Sequence, residues 1–166
     1  LSNVKEELNR FAKYVISQSR ANLTRGKKNS SKQLYNSLDS NVKVSKNSFE
    51  LSFLMEDYGV FQDKGVSGVK KKYNTKYSYT TKMPPPSKMD KWIVKKGIAP
   101  RGKDGKFISR KSLQFMIARS IFNNGIKPSL FFTKPFEKAF KNIDKDLIKA
   151  YKLDIETLMN NSINNK

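Results

Sequence analysis

The stretch NVKVSKNSFELSFLM, residues 41–55, decides the fold class. Residues 41–45 alternate apolar with polar, and so do residues 49–55. That is the period of a strand pair, with Lys46, Asn47 and Ser48 as the turn. Phe49, Leu51, Phe53 and Met55 share one face of the second strand. These are the two clear strands of the chain. The expected fold is therefore α+β: a small antiparallel sheet packed against an N-terminal helix and a long C-terminal helix, with an extended basic insertion.

Working outward, residues 3–23 place Val4, Leu8, Phe11, Ala12, Val15, Ile16 and Leu23 near one helical face, and Asn3 with Glu6 forms a capping-box pattern. SKQLYNSL, residues 31–38, reads as a short helix with Leu34, Tyr35 and Leu38 inward. On the C-terminal side, Thr133 caps a helix over 134 to about 160. Its stripe is Phe136, Phe140, Ile143, Leu147, Tyr151, Ile155 and Leu158, and residues 160–166 are expected to fray. Phe131, Phe132 and Phe136 are expected to anchor that helix on Phe49, Leu51 and Phe53. The whole, residues 1–166, reads as a single domain.

The middle of the chain is different. A third and fourth strand are expected within 66–82, where Tyr73, Thr75, Tyr77, Tyr79 and Thr81 share one parity. MPPPS (83–87) stops them. Ser87 and Asp90 suggest a capping box for a helix through Lys96, closed by Gly97, with Met89, Trp92 and Ile93 inward. APRGKDGKF (99–107) is a basic turn. A helix over roughly 110–124 is expected to bury Leu113, Met116, Ile117 and Ile121 and to end at Gly125.

Charge singles out this same region. The chain has 34 basic and 14 acidic side chains, net +20. Residues 64–111 hold 15 of the basic groups and 2 of the acidic ones, net +13. Such an excess favours nucleic acid, an anionic surface or an acidic partner, or is a solvated lysine face. Lys70, Lys71, Lys72, Lys76, Arg101, Lys103 and Lys106 are the candidate contacts. Tyr73, Tyr77 and Tyr79 either stack on bases or turn inward. Residues 66–82 are expected to form an arm outside the compact core.

Enzyme chemistry finds little footing. The sequence has no histidine and no cysteine, so the commonest general base and the thiolate metal ligands are missing. Gly59 and Gly65 are separated by five residues, and Val66 stands where a phosphate loop needs lysine. Asp57, Asp63 and Asp104-Gly105-Lys106 form no metal-nuclease constellation. No catalytic residue, metal or cofactor is expected. No apolar run is long enough for a membrane span, and no secretory pattern opens the sequence.

The order of motifs resembles the tail-completion and head–tail connector (neck) proteins of tailed bacteriophages, short-tailed crAss-like phages among them. A Ser/Gly-x-Leu-x-x-Ser-Ile/Leu segment leading into the first strand is resembled by SKQLYNSL, which keeps Leu34, Ser37 and Leu38 and has Lys32 at the Ser/Gly position, with Ser31 just before it. A Tyr-x-x-Phe/Tyr-x-x-x-Gly segment after the strand pair is matched by YGVFQDKG, Tyr58–Gly65. A Pro-Phe segment opening the last helix is matched by KPSLFFTKPF, 127–136. The chain departs from the pattern at Gln62-Asp63-Lys64-Gly65, where the family often has glutamate, and in the length of 66–111. The resemblance implies a virion protein assembled in the host cytoplasm. It forms a homo-oligomeric ring between portal and tail, contacts other neck or tail proteins, and lines or surrounds the DNA channel. It also implies that Tyr58 and Phe61 pack under the sheet, that Gly65 and Gly68 turn the chain, and that the lysine–tyrosine arm reaches a neighbour or DNA. The competing reading is a nucleic-acid-binding accessory protein without sequence preference.

Overall fold

The computed structural model describes residues 1–45 and 48–164, with side chains described through residue 160. The expected turn at Lys46 and Asn47, and the last two residues of the expected frayed tail, lie outside the described residues. The fold is α+β and helix-rich. Its Cα positions group into two compact units: residues 1–57 with 131–166, and residues 58–130.

The first unit is built on two helices. α1 spans Ser2–Arg25 and α6 spans Thr133–Asn164. They run antiparallel, because Val4 and Leu8 meet Ala150 while Phe11 and Val15 meet Ile143. The sheet has two strands among the described residues, β1 (Asp39–Val44) and β2 (Phe49–Leu54). They pair antiparallel with Val42 opposite Leu51 and Ser40 opposite Phe53. Val42, Val44, Leu51 and Phe53 turn to the helices, and Met55 joins the cluster of Leu23, Leu34, Leu38 and Phe131. Phe49, expected on the same face, is 48% exposed. It pairs with Val44 at the last rung, where the ladder ends. The short helix α2, Gln33–Ser37, buries Leu34 as expected.

The aromatic anchor divides in two. Phe132 and Phe136 meet Phe53 edge-on, with centroids 5.1 and 6.0 Å apart, and Phe11 closes the group against Phe136 at 5.7 Å. Phe131 turns the other way. It is fully buried between α1 and α2, against Leu23, Leu34 and Leu38.

Two helix-level expectations need correction. The Asn3–Glu6 capping box does not form. Asp154, in α6, caps α1 instead: its carboxylate accepts from Asn3 N (3.1 Å), Asn3 Nδ2 (2.9 Å) and Val4 N (3.0 Å). Burial alone would raise the pKa of this carboxyl. The hydrogen bonds from Val4, the Asn3 backbone and the Asn3 amide outweigh it, and the group titrates below its ordinary value. The stripe of α6 also differs from the expected one. Its inner face runs Phe136, Ala139, Ile143, Leu147, Ala150, Asp154, following the 3.6-residue period. Phe140, Tyr151, Ile155 and Leu158 fall outside it and are exposed. The period of the expected stripe is right, but it takes the bulky Phe140, Tyr151 and Ile155 where the contact face takes Ala139, Ala150 and Asp154, one position earlier and about 100° around the helix.

The second unit, 58–130, holds α3 (Gly59–Lys64), a 3-10 turn (Pro86–Met89), α4 (Asp90–Lys96) and α5 (Arg110–Asn124). The Ser87–Asp90 capping box is absent. Asp90 instead accepts from Gln114 Nε2 (2.6 Å) and pairs with Arg110 Nε (2.7 Å), which ties α4 to α5. Ser109 caps α5, with its hydroxyl accepting from Ser112 N. In α5 Leu113 and Ala118 are buried, Ile117 and Ile121 are half-buried, and Met116 is exposed. In α4 Ile93 is buried and Trp92 is 41% exposed. Gly97 closes α4 in the left-handed region, as expected.

Candidate interaction site

Residues 66–82 are not an arm standing clear of a core. No strand forms there among the described residues, and the chain is tied down by loop hydrogen bonds. Ser67, 4% exposed, is the hub. Its N–H donates to Tyr77 O (2.8 Å), and its carbonyl accepts from Tyr79 N (2.8 Å). Its hydroxyl donates to Tyr73 O (3.1 Å) and accepts from Tyr73 N (2.9 Å). Val66 and Ile126 exchange two hydrogen bonds of 2.8 Å. Val69, Lys70 and Lys71 donate to the carbonyls of Phe122 and Asn123 at the end of α5.

Two glycines make this possible. Gly68 and Gly125 face each other so closely that a β-carbon on Gly68 would collide with the backbone of Asn123 and Gly125. Gly125 also holds a φ of +71°, which closes α5. Gly65, at φ +75°, ends α3. Gly65 thus turns the chain through a positive φ as expected, while Gly68, whose φ is not positive, serves close approach instead. The glycines let the 66–68 backbone lie against the end of α5.

The alternation over 73–80 is present in burial although the strand is not. Tyr73, Thr75, Tyr77 and Tyr79 are half-buried, while Lys76, Ser78 and Thr80 are exposed. Partial burial raises the Tyr79 phenol above its ordinary pKa.

Tyr58 and Phe61 belong to this unit and not to the sheet-bearing one. Each is 40% exposed. Phe61 meets Tyr77 edge-on at 4.8 Å. With Tyr79 they wall a pocket of about 550 Å³ whose floor is Val66 and Ile126. Lys76 stands at this pocket with its ammonium 5.2 Å from the Tyr77 ring centre. Gln62 lines it too, and its side-chain carbonyl oxygen is buried without a hydrogen-bond partner.

The candidate cations fall on two turns. Lys70, Lys71, Lys72 and Lys76 are exposed on the 65–79 loop. Lys72 Nζ donates to Gly68 O (2.9 Å), and Lys71 lies over the Tyr73 ring at 5.7 Å. Arg101, Lys103 and Lys106 sit on a second turn, closed by the Arg101–Phe107 bridge. There the Arg101 guanidinium stacks 4.1 Å from the Phe107 ring centre and donates to Gly105 O (2.8 Å).

Among the described residues no group of three acidic side chains is placed to hold a metal ion. No described helix is long and apolar enough to cross a membrane. Comparison with family models, with curated proteins and with solved structures finds no match.

Sequence reasoning missed three residues. Asp154 gave no signal, because a cap supplied from 151 positions away has no local spacing. Ser67 lay unremarked within 66–82, where strands were expected. Gln62 was noticed only where it departs from a family pattern.

Proposed function

We propose that this chain is a structural subunit of a bacteriophage head–tail connector, assembling as a ring that joins the portal to the tail. The observation that carries the reading is the outer face of α6. At 32 residues this helix is about 48 Å long. Asp154 sits at the first turn of α1, so residues 155–164 extend roughly 15 Å beyond it. Ile155, Leu158 and Met159 are exposed on this extension, and Ile148, 70% exposed, and Tyr151 precede them. A row of apolar side chains in water is costly in a free monomer and is the ordinary mark of an assembly surface. The order of the sequence motifs adds the particular assembly. A ring would repeat the two basic turns around its axis and turn a local patch into a band of positive potential that contacts DNA without sequence preference.

The second reading is a free-standing nucleic-acid-binding protein, favoured by the net charge of +13 over residues 64–111. Native mass spectrometry and electron microscopy of the protein, alone and co-expressed with a portal protein, separate the two. Cyclic oligomers or portal-bound rings, lost in Ile155→Glu/Leu158→Glu, support the connector. A monomer that binds DNA with steep salt dependence and ignores both substitutions overturns it.

A further inference from the structure

The aromatic pocket of the second unit has a size, a lining and a charged surround that together point to an occupant. At about 550 Å³ it lies in the range of ligand and anchor pockets. Tyr58 and Phe61 offer half-exposed ring surface to it, and Tyr77, edge-on to Phe61, and Tyr79 line it with them. The Gln62 Oε1 beside it has no accessible surface, so an occupant meets the rings and not that oxygen. The lining therefore fits a flat aromatic group. Lys76 at the pocket, and a flanking segment with fifteen basic side chains against two acidic ones, favour its arrival on a negatively charged chain.

We propose that this pocket captures a tryptophan or tyrosine side chain presented by an acidic peptide segment of an adjoining protein. The proposal deepens the connector reading and rests on it, since it names the kind of segment through which a neighbour holds this subunit. A large aromatic side chain in a desolvated pocket is the usual anchor of a protein interface. A nucleobase also brings a ring, but it carries a phosphate on each side. Lys76 is the one cation lining the pocket, and its ammonium lies over the Tyr77 ring. One aromatic anchor with a carboxylate beside it matches a single lining cation, and a phosphate chain is the competing occupant that the oligonucleotide tests.

The test uses the full chain and three fluorescein-labelled probes at physiological salt: the peptide Asp-Asp-Glu-Trp-Glu-Asp-Asp, the same peptide with alanine for tryptophan, and a short single-stranded thymidine oligonucleotide. Anisotropy should show the tryptophan peptide binding at least about tenfold more tightly than the alanine peptide. Tyr58→Ala and Lys76→Glu alter exposed side chains and should keep the circular dichroism of the parent. Tyr58→Ala should erase the tryptophan advantage, and Lys76→Glu should weaken both peptides. Equal binding of the two peptides overturns the proposal, as does a tryptophan advantage that survives Tyr58→Ala. Tighter binding of the oligonucleotide, lost in the same variants, overturns it in favour of nucleic acid. Ring formation is read separately by native mass spectrometry, so failure of the peptide arm and failure of the connector reading are distinct results.

Discussion

The two units carry the same number of basic side chains and hold themselves together by different means. Residues 1–57 with 131–166 contain 17 basic and 11 acidic groups, net +6, while residues 58–130 contain 17 basic and only 3 acidic groups, net +14. The first unit has three apolar clusters built on helix and sheet faces. In the second, the fully buried apolar side chains are Val66, Ile93, Leu113 and Ala118. Its order comes instead from backbone hydrogen bonds at Ser67, Val66–Ile126 and Phe122–Asn123, and from glycines that admit close approach. What distinguishes the basic region is thus more its scarcity of acids, 3 against 11, than its somewhat denser basic groups, 17 in 73 residues against 17 in 93. A unit with so few carboxylates has little internal charge compensation and depends on solvent, salt or an acidic partner to offset repulsion.

The comparison predicts that large-to-small and small-to-large changes strike different units. Phe131→Ala removes a fully buried ring from the cluster of Leu23, Leu34 and Leu38 and should cost about 3–5 kcal/mol. Hydrogen exchange should show the loss in α1 and α6. The opposite change, Gly68→Ala, adds one carbon where backbone already stands and should cost about 1–3 kcal/mol or more. Its loss of protection should fall on the amides of Ser67, Val69 and Tyr79. Equal loosening of all these amides by either substitution would mean that the units do not differ in how they are held.

The first unit was largely legible in the sequence because its contacts follow period. α1, the hairpin and α6 each show a repeat that burial enforces, and Val4, Leu8, Phe11, Val15, Leu51, Phe53 and Ile143 all pack as that repeat requires. Sequence reasoning failed there where contact was non-local, as at Asp154, or where a bulky side chain was taken for the inward one beside a small residue that holds the contact, as at Phe140 beside Ala139 and Tyr151 beside Ala150. The second unit was legible in part of its punctuation: Gly97 and Gly125 end α4 and α5 as expected, whereas the proline run stops no strand and leads into the 3-10 turn. Its tertiary ties were not. Alternation from Tyr73 to Thr80 predicted which side chains turn inward but implied a strand that the backbone does not form. Alternating burial needs only one apolar side, and here that side is a loop hydrogen-bonded to Ser67. The pocket was invisible for the same reason, since Tyr58, Phe61, Tyr77 and Tyr79 meet through the fold and not through spacing.

Asp154 offers a sharper test, because it is a charge that the better-packed unit buries. Its folded pKa is depressed, so the stability it contributes is fully present above the unfolded carboxylate value near 4 and is lost as pH falls through the lower folded value. Asp154→Ala leaves the N–H groups of Asn3 and Val4 without their acceptor and should cost about 1–2 kcal/mol at neutral pH. Chemical denaturation across the acid range should show the wild-type advantage shrinking below about pH 4. A difference that stays constant to strongly acidic pH would mean that the side chain acts by packing and not by its charge.

The smallest effect on stability is expected where the charge is greatest. Lys70, Lys71 and Lys72 are exposed, and the backbone of their loop is held by Phe122, Asn123 and Ser67 rather than by their ammonium groups. Replacing all three with glutamate removes the Lys72 Nζ–Gly68 O bond and the Lys71 contact with the Tyr73 ring on one side, and relieves like-charge repulsion within the unit on the other. The two changes oppose each other, so the unfolding free energy should move by no more than about 0.5 kcal/mol per site. Function should respond far more strongly than stability. Association with a polyanion should weaken, and its salt dependence should become shallower as the contacts are lost. In a connector, two outcomes locate the target of the loop. Normal particles that retain or eject their genome abnormally would place it against DNA, whereas a neck that fails to assemble would place it against protein. Unchanged stability together with unchanged assembly, genome retention and infectivity would leave these lysines as a solvated face, and the contrast between the two units would then concern folding alone.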